Sequence, residues 1–432
     1  MSQVKLTADS GGGTVSLKAP ATTTSNADLE FTVPDVATGA TILTSESSLT
    51  SSKLTGALPA ISGASLTGIS SPLSFRNLVI NGAMKIAQRG ASDTSSAQGY
   101  TTVDRWQIGW GGADNIVETH QELLTSSDTG PWAKGFRNAY KLVNGNQSSG
   151  AGAGDSCVIQ YRLEAHDVAG SGWDYTDPNS KITLSFWVKS SVAQAFQCYL
   201  RTFDGTDQVY SFSTGSLSAN TWTKVTKTIP GNSNIQMDNN TGVGMNITLW
   251  QFAGADFTSS VTDESWRAYS GSSRMNANTS TWWTTDDATF HITGVQLEVG
   301  DTATEFEHRS YGDELARAQR YYYRLCDADY NGIGTGATYY SGVAFASVHF
   351  PVSMRAVPSL VSYAGSSGGY TYRVQINDSS VYHHTISLDT TFTSPRMAVI
   401  QCAASGQDSD ANAVILATHA GSPTNVAFNA EL

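Results

Sequence analysis

The sequence has 432 residues, of which only 14% are charged, and a net charge of −12. Such an acidic chain repels polyanions, so its charge argues against direct binding of nucleic acid or of acidic membranes. No stretch reaches the ~20 apolar residues that a membrane-spanning helix needs, and the first residues lack an apolar signal core, so we expect synthesis in a cytoplasm and no membrane insertion.

Residues 1–72 contain neither Trp nor Tyr and are rich in Ser, Thr, Ala and Gly. Two alternating runs, TVSLKAP (14–20) and DLEFTVP (28–34), each predict one short strand that ends at a proline. Strands of this kind bury too little apolar surface to be stable alone. We therefore expect residues 1–50 to contain short strands that depend on other surfaces.

The segment 51–72 repeats Leu-Thr-Gly, at 54–56 and at 66–68. Its large apolar residues are Leu54, Leu58, Ile61, Leu66 and Ile69. Disordered segments are usually rich in charge, whereas this one has almost none, which favours burial against copies of itself. If three chains lie side by side, these side chains point to a common axis, so the repeat predicts the core of a trimeric shaft. A flexible linker is the alternative.

Residues 73–310 show the alternation of an antiparallel β-sandwich. In 181–190 the alternation places Ile182, Leu184, Phe186 and Val188 on one face. Further strands are predicted at 194–203, 221–229, 244–252 and 288–299, with DGTD (204–207) as a hairpin turn. The tryptophans in strand-like sequence are expected in the core: Trp106, Trp187, Trp222 and Trp250.

A short helix is predicted at 310–324, where Ser310 is a candidate N-cap with Asp313 three residues on. Leu315, Ala318 and Tyr322 then share one helical stripe. This helix, assigned to 311–325, connects the sandwich to a last domain, 326–432. That domain returns to strand patterns and predicts a compact all-β fold, a second β-sandwich.

Catalytic motifs are weak. GIGTGA (332–337) satisfies Gly-x-Gly-x-x-Ala, but strand-like sequence follows it, so a glycine-rich loop is the better interpretation. His383 and His384 are neighbours on a predicted strand, where they point to opposite faces and cannot chelate one metal ion. We predict no metal site.

Adjacent carboxylates occur in turn-like sequence: Asp204 with Asp207, Asp263 with Glu264, Asp286 with Asp287, and Asp327 with Asp329. A glycosidase needs two carboxyl groups facing one cleft, ~5–10 Å apart, and we interpret these pairs as solvated turns. Since no nucleophile elbow, Walker loop or zinc-protease motif is present, we predict no catalytic residues and no enzyme.

Glycan binding has better candidates. Sugars have flat apolar faces ringed by hydroxyls, so exposed aromatic rings beside polar side chains suit them. The candidate residues in loop-like sequence are Trp282, Trp283, Tyr339, Tyr340, Tyr370, Tyr372, Tyr382 and His383. Alternatively, one tryptophan of the pair faces the core and the other a neighbouring chain, and the tyrosines of 370–374 belong to a half-buried strand.

The four cysteines lie far apart and form no CxxC pair: Cys157, Cys198, Cys326 and Cys402. A disulfide framework would be denser, so we expect buried free thiols.

Five stretches occur in a characteristic order: NLVINGAMKIAQRG (77–90), YTTVDRW (100–106), LSFWVKSS (184–191), GVQLEVGDTATEFEHR (294–309) and ELARAQRYYYR (314–324). Together they resemble tail-fibre or other virion fibre proteins of tailed bacteriophages, whose middle part resembles the jelly-roll domains of carbohydrate-binding modules. FPVSMRAVPSL (350–360) and the terminal NAEL (429–432) are similar to C-terminal domains of the same fibres. The opening 13–34 and the repeat at 54–69 resemble their N-terminal and shaft segments.

The resemblance implies a homotrimeric virion fibre protein assembled in the host cytoplasm. Residues 1–50 would attach to phage tail or other virion proteins, 51–72 would form the shaft, 73–310 the jelly roll, and 326–432 the distal tip that contacts a host glycan or protein. No cofactor is expected, although such jelly rolls often carry one structural calcium. The alternatives are a purely structural tail adaptor or head-decoration fibre, and a tailspike that depolymerises polysaccharide.

Overall fold

The computed structural model describes residues 3–7, 14–18, 76–95, 97–340, 342–362, 371–376, 379–403, 412–419 and 425–432. At 3–7, 14–18, Tyr339, Tyr340, Ser379 and Ala403 it describes the backbone alone. The chain divides into two compact units, Met1–Ile69 and Ser70–Leu432. The finer domain boundaries stay predictions.

In the first unit, β1 (Gln3–Thr7) and β2 (Thr14–Lys18) form an antiparallel hairpin in which Gln3 is opposite Lys18. The strand predicted at 14–20 is confirmed, whereas β1 was not anticipated. The strand predicted at 28–34 lies outside the described residues, as do the proposed shaft residues Leu54, Leu58, Ile61, Leu66 and Ile69. The trimeric shaft therefore stays a prediction.

The second unit opens with a β-sandwich. Its strands are β3 (Ser92–Asp93), β4 (Trp106–Gly111), β5 (Glu118–Leu123), β6 (Asn138–Val143), β7 (Ser156–Glu164), β8 (Lys181–Ser190), β9 (Ala195–Thr202), β10 (Gln208–Ser216), β11 (Thr223–Pro230), β12 (Val243–Ala253), β13 (Trp266–Ala268) and β14 (Thr289–Val299). A 3₁₀ turn (Trp132–Lys134) precedes β6, and helix α1 (Ala165–Ala169) follows β7.

These strands form two antiparallel sheets. One, here called the β9 sheet, has the order β13-β10-β9-β12-β7-β4, and the other, the β8 sheet, has the order β11-β8-β14-β6-β5-β3. The core lies between them and contains Ile182, Leu184, Phe186 and Val188 from β8, all fully buried. The predicted alternation, the hairpin turn at 204–207 and the all-β sandwich are thereby confirmed.

Helix α2 (Tyr311–Gln319) begins where the sequence predicts, because the Ser310 side chain accepts a hydrogen bond from the Asp313 backbone N–H at 3.1 Å. Its predicted end is wrong. The helix ends at Gln319, and Tyr322 starts β15 (Tyr322–Cys326), where it pairs with Asn429 instead of sharing a stripe with Leu315. Strand pairing outweighs the local helical pattern here.

The last part is a second all-β region, as predicted. After β15 its strands are β16 (Gly332–Tyr340), β17 (Val343–His349), β18 (Ser359–Ser362), β19 (Tyr372–Ile376), β20 (Ser379–His383), β21 (Ser387–Leu388), β22 (Met397–Ala403), β23 (Ala413–Thr418) and β24 (Val426–Asn429). A large sheet of order β20-β19-β23-β16-β17-β22-β21 and a small one of order β15-β24-β18 enclose one apolar core.

The predicted glycine-rich loop at 332–337 is wrong, because this stretch belongs to β16. Its glycines allow the neighbouring strand to approach closely, since a Cβ at Gly336 would lie 1.8 Å from the main-chain oxygen of Phe345. A helix does not follow, since β17 is the next element, so the structure agrees that no dinucleotide-binding turn forms here.

The cysteine prediction is confirmed, because Cys157, Cys198, Cys326 and Cys402 are all buried and free. Among the described residues, no helix has the length and apolar character that crossing a bilayer requires.

The end of the chain is held against the sandwich by arginines. Arg89 and Arg105 both pair with the Glu431 carboxylate, and Arg162 donates to the main-chain oxygen of Leu432 at 2.7 Å. Arg105 is 1% exposed, so Glu431 compensates a charge that water cannot reach. The two β-regions of the second unit are thus connected by buried ion pairs as well as by the chain.

Candidate functional site

Two of the predicted glycan-binding rings are in the wrong place for that role. Trp282 and Trp283 are fully buried, and Trp283 stacks on Phe252 with ring centroids 5.6 Å apart. Their indole N–H groups donate to the main-chain oxygens of Thr289 and Gly150, at 3.1 and 3.2 Å. With the polar atom satisfied, the large apolar ring gains most by leaving water, so both rings belong to the core and neither presents a face to a ligand.

The predicted tyrosines separate into three groups. Tyr372 is fully buried in the core of the C-terminal region, so its assignment to a surface site is wrong. Tyr382 is 39% exposed, and His383, next to it on β20, is half-buried. Tyr370 and the side chains of Tyr339 and Tyr340 lie outside the described residues.

Sequence reasoning placed Trp187 and Trp222 in the core, which is also wrong. Trp106 and Trp250 are buried as expected, but Trp187 and Trp222 are half-buried on the outer face of the β8 sheet. The signal was present for Trp187: Phe186 and Val188 point inward, so the residue between them must point outward.

Trp187 forms one wall of a cavity of about 290 Å³ on this outer face, here called the aromatic cavity. Phe136, Gly294 and Phe306 also line it. The rings of Phe136 and Phe306 meet edge to face at 4.8 Å. The polar residues around the cavity are Lys134, Ser185, Lys224, Thr304, Glu305 and His308.

Two glycines allow these rings to come together. Gly294 has φ +63°, and a Cβ there would lie 2.6 Å from the Phe136 ring. Gly130 has φ +100°, and a Cβ there would lie 2.7 Å from the Trp187 ring. Because both positions combine a left-handed backbone with close aromatic contact, any other residue would displace the walls of the cavity.

A hydrogen-bonded cluster stands beside Trp187. The Asp128 carboxylate accepts from the indole N–H of Trp222 and from Lys189, both at 2.9 Å. The Lys189 ammonium also lies 4.9 Å from the centroid of the Trp222 ring. Burial opposes ionisation of Asp128, but the Thr125 backbone N–H, Trp222 and Lys189 together lower its pKa to about 2. Asp128 is therefore ionised at neutral pH and fixes the orientation of Trp222.

A second charged cluster lies on the same face. Glu122 accepts from Lys141 at 2.6 Å and contacts His291 at 3.3 Å. The hydrogen bond from His291 lowers the pKa of Glu122 to about 2, against the effect of burial, and Lys141 adds to the shift. Burial lowers the pKa of His291, so this imidazole is neutral at pH 7.

The adjacent carboxylates noted in the sequence do not line the aromatic cavity. Asp207 pairs with Arg201 and Glu264 with Lys227. Asp263 accepts from the Ser211 hydroxyl at 2.7 Å, and Asp204 accepts from the Asp238 backbone N–H at 2.9 Å. Each of these four carboxylates has its own protein partner.

One trio of described residues, Glu164, His166 and Asp167, brings metal-ligand atoms within 4.8 Å of one another. It does not fit the structural calcium that the resemblance allows. Calcium takes oxygen ligands, whereas this trio includes an imidazole, and the Arg320 guanidinium already binds both oxygens of Glu164, at 2.9 and 2.8 Å.

The aromatic cavity combines apolar walls with a polar rim. Its aromatic walls offer apolar contact to the C–H face of a sugar ring, and its rim offers hydroxyl, ammonium and carboxylate groups to sugar hydroxyls. Hydrogen bonds preset part of this rim: Lys134 pairs with Glu305 at 3.2 Å, and its main-chain oxygen contacts His308 at 2.8 Å.

No protein-family model and no curated protein matches the chain. Similar solved structures include the enzymatically active domain of tailspike protein 4 of bacteriophage CBA120 (12% identity, TM-score 0.28), over 52% of this chain and 21% of that one. They also include a family 16 carbohydrate-binding module (11%, 0.21, over 44% and 89%) and the CBM22-1 xylan-binding domain of Paenibacillus barcinonensis Xyn10C (11%, 0.24, over 49% and 94%). Identities and TM-scores as low as these are weak likenesses.

Proposed function

We propose that this chain is a fibre protein of a tailed bacteriophage and that its β-sandwich binds a glycan of the host surface in the aromatic cavity. The observation that carries the glycan proposal is the outward-facing pair of rings, Trp187 and Phe306, in a cavity of about 290 Å³ with a charged and hydroxyl-bearing rim. A half-buried tryptophan on a sheet face buries its remaining apolar surface when a ligand covers it.

The position of the rings also supports binding. Gly130 and Gly294 allow Trp187 and Phe136 to pack closely against the backbone before any ligand arrives. A preorganised site loses little conformational entropy on binding, so weak polar contacts suffice to fix the orientation of a sugar. Neutral or weakly charged saccharides suit a protein whose net charge is −12.

The fibre assignment rests on the order of the sequence motifs between 77 and 324 and on the shaft repeat at 54–68. In this proposal the chain acts as a homotrimer in the virion, with residues 1–50 attached to tail or other virion proteins. Adhesion then gains from several weak sites on each fibre. The protein binds surface polysaccharide without cleaving it.

The test is binding to an array of bacterial capsular and O-antigen polysaccharides, followed by calorimetry with the polysaccharide that is retained best. Trp187→Ala removes one wall of the cavity, so we expect the affinity to fall at least about ten-fold, or ~1.4 kcal/mol. The chain length of the bound polysaccharide, measured after prolonged incubation, should not change.

Trp132→Ala is the matched control, because Trp132 belongs to the same hydrophobic cluster but does not line the cavity. It should bind as the unaltered protein does. The glycan proposal fails if no polysaccharide is retained, or if Trp187→Ala and Trp132→Ala bind equally well.

A further inference from the structure

An exposed cluster of rings lies on the large sheet of the C-terminal region, far along the chain from the aromatic cavity. Tyr330, 55% exposed, meets His419 edge to face at 5.8 Å, and Tyr382, 39% exposed, lies over the same imidazole at 4.6 Å. The Arg373 guanidinium lies 5.2 Å from the centre of the Tyr330 ring. These four residues are called the tyrosine patch.

Strand register places the patch on one face. Arg373 of β19 pairs directly with Tyr382 of β20 and with Ala417 of β23, two residues before His419. The side chains of Val374 and Ile376 alternate with Arg373 and point into the core. Tyr330 lies in the connection between β15 and β16 and has φ +59°, a left-handed conformation that costs a non-glycine residue free energy.

Arg373 has no ion-pair partner among the described residues. Among the described residues no carboxylate lies within 4 Å of its guanidinium, whereas Arg201, Arg309 and Arg320 each have one. Its Nε is buried and has no hydrogen-bond partner among the described residues. A guanidinium whose face rests on an aromatic ring keeps its N–H edge for a planar anion, and a carboxylate fits this edge with two parallel hydrogen bonds.

Two further polar atoms of this face are buried without hydrogen-bond partners among the described residues, Nδ1 of His419 and the hydroxyl oxygen of Thr371. Thr371 directly precedes β19 and His419 directly follows β23, and both continue the alternation that places Arg373 and Ala417 on this face. Unpaired polar atoms among the described residues therefore lie beside the patch.

The same face continues into a groove. At Gln375, two residues along β19 from Arg373, the sheet face has a cavity of about 470 Å³. Its lining residues are Thr335, Gly336, Gln375, Ala413, Val414 and Ile415. Ile415 is 49% exposed. Residues two apart on a strand lie ~7 Å apart on the same face, so Gln375 and Ile415 adjoin Arg373 and Ala417. Rings, a cation, an amide and a hydroxyl thus lie along one continuous surface.

We propose that the tyrosine patch and this groove form a second binding site, for a sugar that carries a carboxylate. The sugar ring contacts Tyr330 and Tyr382, the carboxylate binds the N–H edge of Arg373, and the adjoining residue of the glycan occupies the groove beside Gln375 and Ile415. This site goes beyond the aromatic cavity of the sandwich and does not depend on it. An isolated positive charge on a chain of net charge −12 selects an acidic group at short range, where the distant negative charges are screened by salt.

The experiment is calorimetry on the full-length protein in 0.15 M salt, with a glucuronic acid oligosaccharide and a glucose oligosaccharide of equal length. We expect the acidic probe to bind at least ten-fold more tightly than the neutral one. Arg373→Gln should weaken binding of the acidic probe at least ten-fold and abolish the preference, since hydrogen bonds to charged groups are the strong ones. Tyr382→Ala should weaken both probes.

Arg396→Gln is the matched control, since Arg396 is exposed in the same region and its loss changes the net charge equally. Far-ultraviolet circular dichroism shows that each variant is folded. The proposal is overturned if the acidic probe does not bind, if both probes bind equally, or if Arg373→Gln behaves as Arg396→Gln does. Trp187→Ala, which alters the aromatic cavity, should leave this binding unchanged, so failure at one site is distinguishable from failure at the other.

Discussion

Individual tryptophans show that one residue type can be buried in the core or face outward. Trp187 faces outward because it alternates with buried neighbours on β8, a consequence of strand geometry that the sequence already contains. Trp282 lies in sequence that looks like a loop, yet it is buried, with its indole N–H satisfied by the main-chain oxygen of Thr289. Burial of a loop residue depends on which distant atoms surround it, and local sequence does not specify them.

The lowered pKa values of Glu122 and Asp128 predict that the fold loses stability in acid. Both have pKa values of about 2, below their ordinary values near 4, so the unfolded chain takes up these protons first. Their contribution to the free energy of unfolding is complete above pH ~5 and falls as the pH decreases toward 2. Urea denaturation between pH 2 and pH 6 measures this loss.

Glu122→Gln should lower stability at pH 6 and make the decline between pH 5 and 2 shallower, because one of the groups responsible is removed. Asp286→Asn, which alters an exposed carboxylate, should follow the curve of the unaltered protein. Parallel curves for Glu122→Gln and the unaltered protein would show that the bonds from His291 and Lys141 contribute no stability.

Among the elements, helix α2 has one end that is set by local sequence and one that is set by tertiary contacts. Its start follows from Ser310, whose side chain satisfies a backbone N–H that the helix itself leaves free. Its end follows from the pairing of Tyr322 with Asn429, more than a hundred residues away. The inward faces of the alternating strands, like the start of the helix, are specified by neighbouring residues. The order of the strands within each sheet is not specified locally.

Ser310→Ala should destabilise the first turn of α2 by about 1 kcal/mol. Hydrogen exchange at the Asp313 amide, the partner of the cap, should become about five-fold faster, since 1.4 kcal/mol corresponds to a factor of ten. Ser310→Asn, which keeps a capping oxygen, should restore most of the protection. Unchanged exchange in Ser310→Ala would mean that the Ser310 hydroxyl does not cap the helix in solution.

At the scale of the whole molecule, the chain divides into a first unit poor in large apolar residues and a second unit with extensive cores. The second unit supplies the two candidate binding surfaces, one on each β-region. The first supplies the repeat from which we predict a trimer. If each fibre carries three copies of both surfaces, modest affinities at each combine into firm adhesion.

The trimer prediction concerns the intact protein. Light scattering should give about three times the chain mass of 45.9 kDa. The double variant Leu58→Asp and Leu66→Asp places charges at the proposed shaft axis and should reduce the mass toward that of one chain. Thr55→Asp, a charge in the same repeat but off the apolar positions, should remain trimeric. A monomeric mass for the unaltered protein would contradict the shaft.

The sequence by itself determined the all-β class, the positions of strands such as β8, β12 and β14, the helix start and the free cysteines, because alternation, caps and spacing act over a few residues. The sequence also indicates that Trp187 points outward, because this residue alternates with Phe186 and Val188, which point into the core. Only the tertiary structure decided which aromatic rings are buried and where α2 ends. It also decided that Phe306 meets Phe136 and lines one cavity with Trp187, and that Tyr330, Arg373 and Tyr382 share one face. Those juxtapositions arise from sheet order and register, which join residues far apart in the chain and leave no local pattern in the sequence.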